Sequence, residues 1–253
     1  MTEAPRVAYL DLDGTLFGTG ASLLRDAGGA FSDAGVRALR RLHDARVLVV
    51  LVSGRSRPRL AVAAEVLGAD DFLAEMGACD CGYPTAPDQT VHDAIAATGI
   101  VDALLQRERE LEPHPAAQWG REGSHVFRGR VDETAGSFVE RYSDGALRLA
   151  DNGRVAPDAH VFHLLPAAAS KAAAVEADVR RRGVDPRRCL AVGDSAEDHA
   201  MGRSLGNVAL VRNGADANPA LAAAAHWITD GAHGAGVLEA VDAWLEGSAP
   251  TRE

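Results

Sequence analysis

Two aspartates, Asp11 and Asp13, end the apolar run Val7-Ala8-Tyr9-Leu10 and lead into Gly14. Two more, Asp194 and Asp198, follow a second apolar run, Cys189-Leu190-Ala191-Val192. Four acids gathered at short range do not all stay ionised without a cation, and an all-oxygen donor set favours Mg²⁺, which keeps waters and recruits phosphate oxygens. Ser53-Gly54-Arg55 closes a third apolar run, Val47 through Val52. There a hydroxyl and an amide at a strand-to-helix turn present donors to an anion. Lys171 is the only lysine in the chain and adds a positive charge. Each stretch taken singly reads as an ordinary turn or helix cap. Their order and their placement behind apolar strands point to phosphoryl transfer, in which catalysis rests on positioning and charge stabilisation.

The elements that must position these groups follow from hydrophobic periodicity. Val7–Leu10, Val47–Val52, Phe72–Glu75, Cys189–Val192 and Val208–Val211 are short apolar runs of the kind buried in a parallel sheet. Helical spacing appears from Ser32, from Pro58, from Ser170 to Arg182, beyond Glu197 and from Val237 to Leu245. Strands alternating with helices predict an α/β fold with a doubly wound parallel sheet, whose ligands bind at the carboxyl ends of its strands. The texture changes over residues 82–166, with helical signals, a Pro-His-Pro break and short alternating stretches such as His125–Arg128 and Val161–Leu164. The expected organisation is a core of residues 1–81 and 167–253, with an α+β domain inserted at 82–166.

Composition narrows the function classes. With 253 residues, 47% hydrophobic and 25% charged, the chain can bury a substantial core. A net charge of −10 without a basic stripe argues against nucleic acid as a partner, and no apolar run is long enough to span a bilayer. The opening Met-Thr-Glu-Ala-Pro lacks the regions of a signal peptide, and the three cysteines do not suggest a disulfide framework. The expected location is the cytoplasm. Cys79-Asp80-Cys81 lacks the second pair that a structural metal site requires.

These motifs resemble those of the haloacid dehalogenase superfamily. Asp11-Leu12-Asp13-Gly14-Thr15-Leu16 is similar to its first motif and Ser53-Gly54-Arg55 to its second. Lys171 matches the third, and Gly193-Asp194-Ser195-Ala196-Glu197-Asp198 the fourth. An insert after the second motif and before the third is similar to subclass IIB, the Cof-like and sugar-phosphate phosphatase group with an α+β cap. Glu75-Met76-Gly77-Ala78 and the Gly-rich Asp230–Gly236 are also similar to that group.

The resemblance implies a two-step hydrolysis of a small phosphorylated metabolite, a sugar phosphate or a phosphorylated carboxylate or glycoside. Asp11 would attack phosphorus, and Asp13 would protonate the leaving oxygen and later activate water. Mg²⁺ would bind Asp11, Asp194 and the Asp13 backbone carbonyl, with Asp198 orienting metal waters. Ser53, the Gly54 amide and Lys171 would hold the transferring oxygens, in a monomer or homodimer. A phosphomutase on the same core, or a catalytically weak phosphate-binding regulator, are the other readings. Two positions depart from the group: Glu197 and Met76 stand where Asn is usual. Glu197 must point at metal or solvent, or the phosphate is held differently. On the insert, His125, Arg128 and Arg130 are expected to form a polar cluster, either a substrate contact or a solvated strand face.

Overall fold

The computed structural model describes residues 6–156 and 159–250, so the Met1–Pro5 stretch read above lies outside the described residues. In chain order the elements begin with β1 (Val7–Leu10), α1 (Ala34–Asp44), β2 (Leu48–Val52), α2 (Arg57–Leu67) and β3 (Asp71–Leu73). Next come α3 (Val91–Ala97), α4 (Ile100–Arg107), β4 (Leu111–Pro113), β5 (His125–Gly129), α5 (Ala135–Tyr142), β6 (Leu147–Ala156) and β7 (Ala159–Pro166). The chain ends with α6 (Lys171–Arg182), β8 (Cys189–Gly193), α7 (Ala196–His199), β9 (Asn207–Leu210), α8 (Arg212–Ala217), α9 (Pro219–Ala224) and α10 (His233–Leu245). Two compact units result. One runs to Ser53, takes in Val62–Leu73 and resumes at Lys171, and the other holds Gly54–Ala61 and Ala74–Ser170.

The first unit is built on a parallel sheet in the order β3-β2-β1-β8-β9. Every residue of β1 and β8 is buried, because a parallel strand inside an α/β fold is covered on both faces. Tyr9, Val50, Val52 and Ala191 pack with Val175 and Val179 of α6. The strand order reverses at β1: the chain passes from β1 outward to β2 and β3, then returns to the other side of β1 as β8. Such a reversal opens a crevice at the carboxyl ends of the adjacent strands. Asp11, Ser53 and Asp194 each stand one position beyond β1, β2 and β8, at that crevice.

One helix is fixed against this sheet by its own periodicity. Lys171, Val175, Asp178 and Val179 are the buried residues of α6, a spacing that lays one face of a 3.6-residue helix on the sheet. Within that face Tyr9 Oη donates to Asp178 Oδ2 at 3.0 Å, and Arg182 Nε donates to the same oxygen at 2.7 Å. A buried hydroxyl and a buried carboxylate thus satisfy one another, and the rotation of α6 is set two turns from Lys171.

The second unit carries an antiparallel sheet in the order β4-β5-β7-β6. Phe127, Phe162 and Leu164 on one sheet face pack with Val91, Ile95, Ile100, Leu104 and Val139 of its helices. Strand alternation divides the expected cluster of His125, Arg128 and Arg130. His125 is buried and stacked on His92, whereas Arg128, three positions on and so on the opposite face, pairs with Glu112 at 2.8 Å. Burial and the neighbouring His92 ring depress the His125 pKa to about 4, which keeps that ring neutral.

Candidate active site

Asp11, Asp194 and Asp198 offer carboxylate oxygens that all lie within 4.8 Å of one another. Asp11 follows β1 directly, and its backbone N–H donates to Val192 O of β8 at 3.1 Å, so the backbone bonding of the sheet extends to the residue that carries the first carboxylate. Lys171 stands at the first position of α6, where the orientation of the helix aims its side chain at this group. Its Nζ donates to Asp11 Oδ1 at 2.6 Å and to Asp198 Oδ1 at 2.7 Å, with all three side chains buried. Burial opposes the ammonium, yet the two carboxylates hold the Lys171 pKa above its ordinary value.

Asp198 is fixed from its other side. Ser195 caps α7, and Asp198 at the third helical position returns a bond to the cap residue: Ser195 N donates to Asp198 Oδ2 at 3.1 Å and Ser195 Oγ at 2.5 Å. Both Asp198 oxygens are therefore engaged. In Asp11 only Oδ1 is engaged, and buried Oδ2 has no hydrogen-bond partner. Burial, against the opposing charge of Lys171 and with the added repulsion of Asp198 and Asp194, holds the Asp11 pKa well above the usual carboxylate value. Burial and Asp198 push Asp194 up to about 7.

A partnerless buried carboxylate oxygen beside two further acids fits a hard divalent cation, because oxygen donors and surplus negative charge are what Mg²⁺ requires. The walls are shaped closely around this group. A Cβ on Gly14, whose φ is +86°, would lie 2.1 Å from Asp194 Oδ2, and one on Gly193 would lie 2.0 Å from Asp198 Cβ. Thr15 Oγ1 donates to Asp194 Oδ1 at 3.4 Å, a contact the sequence signalled only as part of an Asp-Gly-Thr turn.

The remaining residues singled out in the sequence are placed as follows. Asp13 is exposed, in the turn closed by Phe17 N–H to Leu12 O at 2.8 Å, and its carboxylate is outside the three-acid group. Ser53 is buried at the end of β2, next to β1 in the sheet. Gly54 belongs to the second unit, where its carbonyl accepts from Arg121 Nη1 at 2.8 Å and a Cβ would meet the His163 ring at 2.9 Å. Glu197 turns neither to solvent alone nor away from the site. Its Oε2 accepts from the backbone N–H of Lys171 at 3.4 Å, a weak bond at the positive end of α6. Met76 is fully buried with φ +56° and packs among Ala78, Ala150, Leu165 and Ala169.

Beside it lies a network that sequence reasoning missed. Glu75, also fully buried, accepts from the backbone N–H of Glu122 at 2.9 Å and of Gly123 at 3.2 Å, from Ser124 Oγ at 2.7 Å and from Arg121 Nη1 at 3.3 Å. These four partners lie 46 to 49 positions away, beyond any local pattern, and Cys79 Sγ adds a local contact to Glu75 Oε1 at 3.8 Å.

Residues 150–241 match the model of the haloacid dehalogenase-like hydrolase family. The chain is 29% identical over 255 residues to the phosphoglycolate phosphatase of Pyrobaculum aerophilum, covering 97% of this chain and 98% of that one. It is 27% identical over 232 residues to the phosphoglycolate phosphatase of Methanoculleus marisnigri, covering 87% and 94%. Among solved structures, Thermoplasma acidophilum 0175 superposes with a TM-score of 0.70 at 18% identity, over 96% of this chain and 99% of that one. The sucrose-phosphatase of Synechocystis, solved with sucrose and phosphate, gives 0.66 at 18% identity, over 96% and 98%.

Proposed function

We propose that the chain is a haloacid dehalogenase-like hydrolase, a Mg²⁺-dependent phosphomonoesterase acting through an aspartyl phosphate, a reading supported by the family match over residues 150–241 and by the phosphatases it resembles. The observation that carries this reading is the state of Asp11. One of its oxygens is held by Lys171, the other is buried and partnerless, and the residue stands at the reversal point of a parallel sheet.

Asp11 attacks phosphorus of the substrate, forming an acyl phosphate as the bond to the leaving oxygen breaks, and Asp13 gives that oxygen its proton. Asp13, now ionised, takes a proton from water. That water displaces the phosphoryl group from Asp11 and releases inorganic phosphate. Lys171 holds Asp11 in one rotamer and meets the transferring oxygens with positive charge, while Ser53 and the Gly54 amide donate to them. Asp11, Asp194 and the Asp13 backbone carbonyl, with Asp198 beside them, would hold Mg²⁺, which would supply neutralising charge to the phosphoryl group.

We assign the cap role to the second unit, and with it the choice of substrate. The phosphoglycolate phosphatases related to this chain make a short phosphorylated carboxylate the first substrate to test, followed by sugar phosphates. The deciding assay gives wild type and Asp11→Asn phosphoglycolate and an aryl phosphate with Mg²⁺. Wild-type turnover that vanishes in Asp11→Asn is the expected result, and turnover retained by Asp11→Asn overturns the nucleophile.

A further inference from the structure

Asn213 and His233 meet at one carbonyl of the catalytic turn. Gly14 O accepts from Asn213 Nδ2 at 2.8 Å and from His233 Nδ1 at 2.9 Å. A carbonyl only accepts, so Nδ1 of His233 carries the hydrogen. The two donors are tied to one another, since Asn213 Oδ1 accepts from the backbone N–H of His233 at 2.9 Å. One amide side chain thus bridges the start of α8, the start of α10 and the turn that follows β1, across sequence separations of about 200 residues.

The local backbone is arranged to make this junction. His233 has φ +49°, a left-handed conformation uncommon outside Gly, though His is among the side chains enriched there. Gly214 has no room for a Cβ, which would lie 2.2 Å from Asp194 O, so the Asn213-Gly214 step packs directly on the backbone of the third acid. Gly14 itself is held at φ +86° against Asp194. A turn with no regular secondary structure is therefore braced from two helix starts, at the residue that follows Asp13.

We infer that Asn213 and His233 are positioning residues for Asp13. They fix the Asp13–Gly14 turn so that the Asp13 carboxyl stands where the leaving oxygen departs, and neither side chain touches substrate. The inference rests on the phosphomonoesterase reading, and its signature is selective. A misplaced proton donor slows expulsion of an alkoxide, which needs the proton, far more than expulsion of a nitrophenolate, which leaves without one. The quantity to compare is kcat/KM, which reports the steps through departure of the leaving group and leaves dephosphorylation of Asp11 out.

The test measures kcat/KM for p-nitrophenyl phosphate and for phosphoglycolate or glycerol phosphate, whichever turns over, in the full-length chain with Mg²⁺. Asn213→Ala and His233→Ala are each expected to lose about tenfold or more on the alkyl phosphate and less than threefold on the aryl phosphate. His233→Asn keeps a donor at the δ position and tolerates positive φ, so it is expected to restore the wild-type ratio between the two substrates. Equal losses on both substrates, or a His233→Asn variant that behaves like His233→Ala, overturn the inference while leaving the phosphomonoesterase reading intact. Wild type that cleaves neither ester removes that reading and the inference with it. Should Asn213→Ala fail to fold, the two His233 variants carry the same comparison.

Discussion

Lys171 Nζ lies 2.6 Å from Asp11 Oδ1, in a contact that joins positions 160 residues apart and is shut away from water. In the mechanism we propose, the ammonium would hold Asp11 in place as it attacks and would meet the charge of the incoming phosphate. Replacing it with Met keeps the bulk and removes both roles. Lys171→Met is expected to lower kcat by about 10² to 10³, the cost of deleting one preorganised charge stabiliser. Steady-state kinetics at saturating Mg²⁺ check this, and a loss below tenfold contradicts the role.

Asp194 gives the site a pH dependence with a definite sign. Its folded pKa of about 7 lies above the ordinary value of 3.8, so the folded chain binds the extra proton between these limits. Stability from this group is fully present below about pH 4 and is lost as pH rises through 7. In EDTA, Asp194→Asn removes the penalty, so the Tm of the variant should gain on that of wild type from pH 5 to pH 8. Added Mg²⁺ should raise wild type and leave the variant nearly unmoved. A Tm difference independent of pH would show that Asp194 is not the group responsible.

Ser195 and Asp198 form one small device. Ser195→Ala removes the cap of α7 and a partner of Asp198 Oδ2 together. The expected loss is about 1 kcal/mol in stability by urea unfolding, with a fall in turnover smaller than that of Lys171→Met. Unchanged turnover would separate the cap from the chemistry.

Arg121 is expected to be the costliest arginine of the second unit. Its side chain is 3% exposed and ties Glu75, Ser124 Oγ and the carbonyls of Gly54 and Ala117 together. Arg121→Met takes the opposing charge from the fully buried Glu75 carboxylate and leaves it only the donors of Glu122, Gly123 and Ser124, a change worth about 3 to 5 kcal/mol when a buried pair loses one member. Thermal unfolding measures it, and a Tm within a degree of wild type contradicts the network. The double variant Arg121→Met with Glu75→Gln should recover part of the loss.

The parallel sheet and its acids were legible because each site strand is a continuous apolar run cut off by polar residues. Burial on both faces enforces the first feature and the strand-end crevice the second. Lys171 was legible by rarity. Gly193-Asp194-Ser195 reads equally as a plain turn and N-cap, and in the structure Ser195 does cap α7, with Asp198 both closing that cap and joining the three-acid group. Three elements of the second unit gave no clear signal. In α3 only Val91 and Ile95 are large and buried, among polar and alanine neighbours, α5 is short, and the Asp-Asn-Gly of β6 reads as a turn. Hydrophobic spacing places the start of the last helix at Val237, whereas α10 begins at His233, because Gly234 and Gly236 carry no apolar signal into its first turn. Asn213 escaped notice because Asn-Gly after a strand is ordinary turn chemistry, and only tertiary structure brings it to Gly14.

The central place of β1 also dictates a history for the chain. Of the five strands of its sheet β1 is made first, and the edge that pairs with β8 has no partner until Cys189–Gly193 has been synthesised. Few connections in a chain of this length span more sequence, and long-range parallel pairing is slow to form. An apolar strand with an open edge is a template for pairing with the wrong chain. Ribosome-bound or truncated chains ending before β8 should therefore bind chaperones and aggregate, and the protein should become safe to concentrate only once the strand that carries Asp194 has closed against the one that carries Asp11.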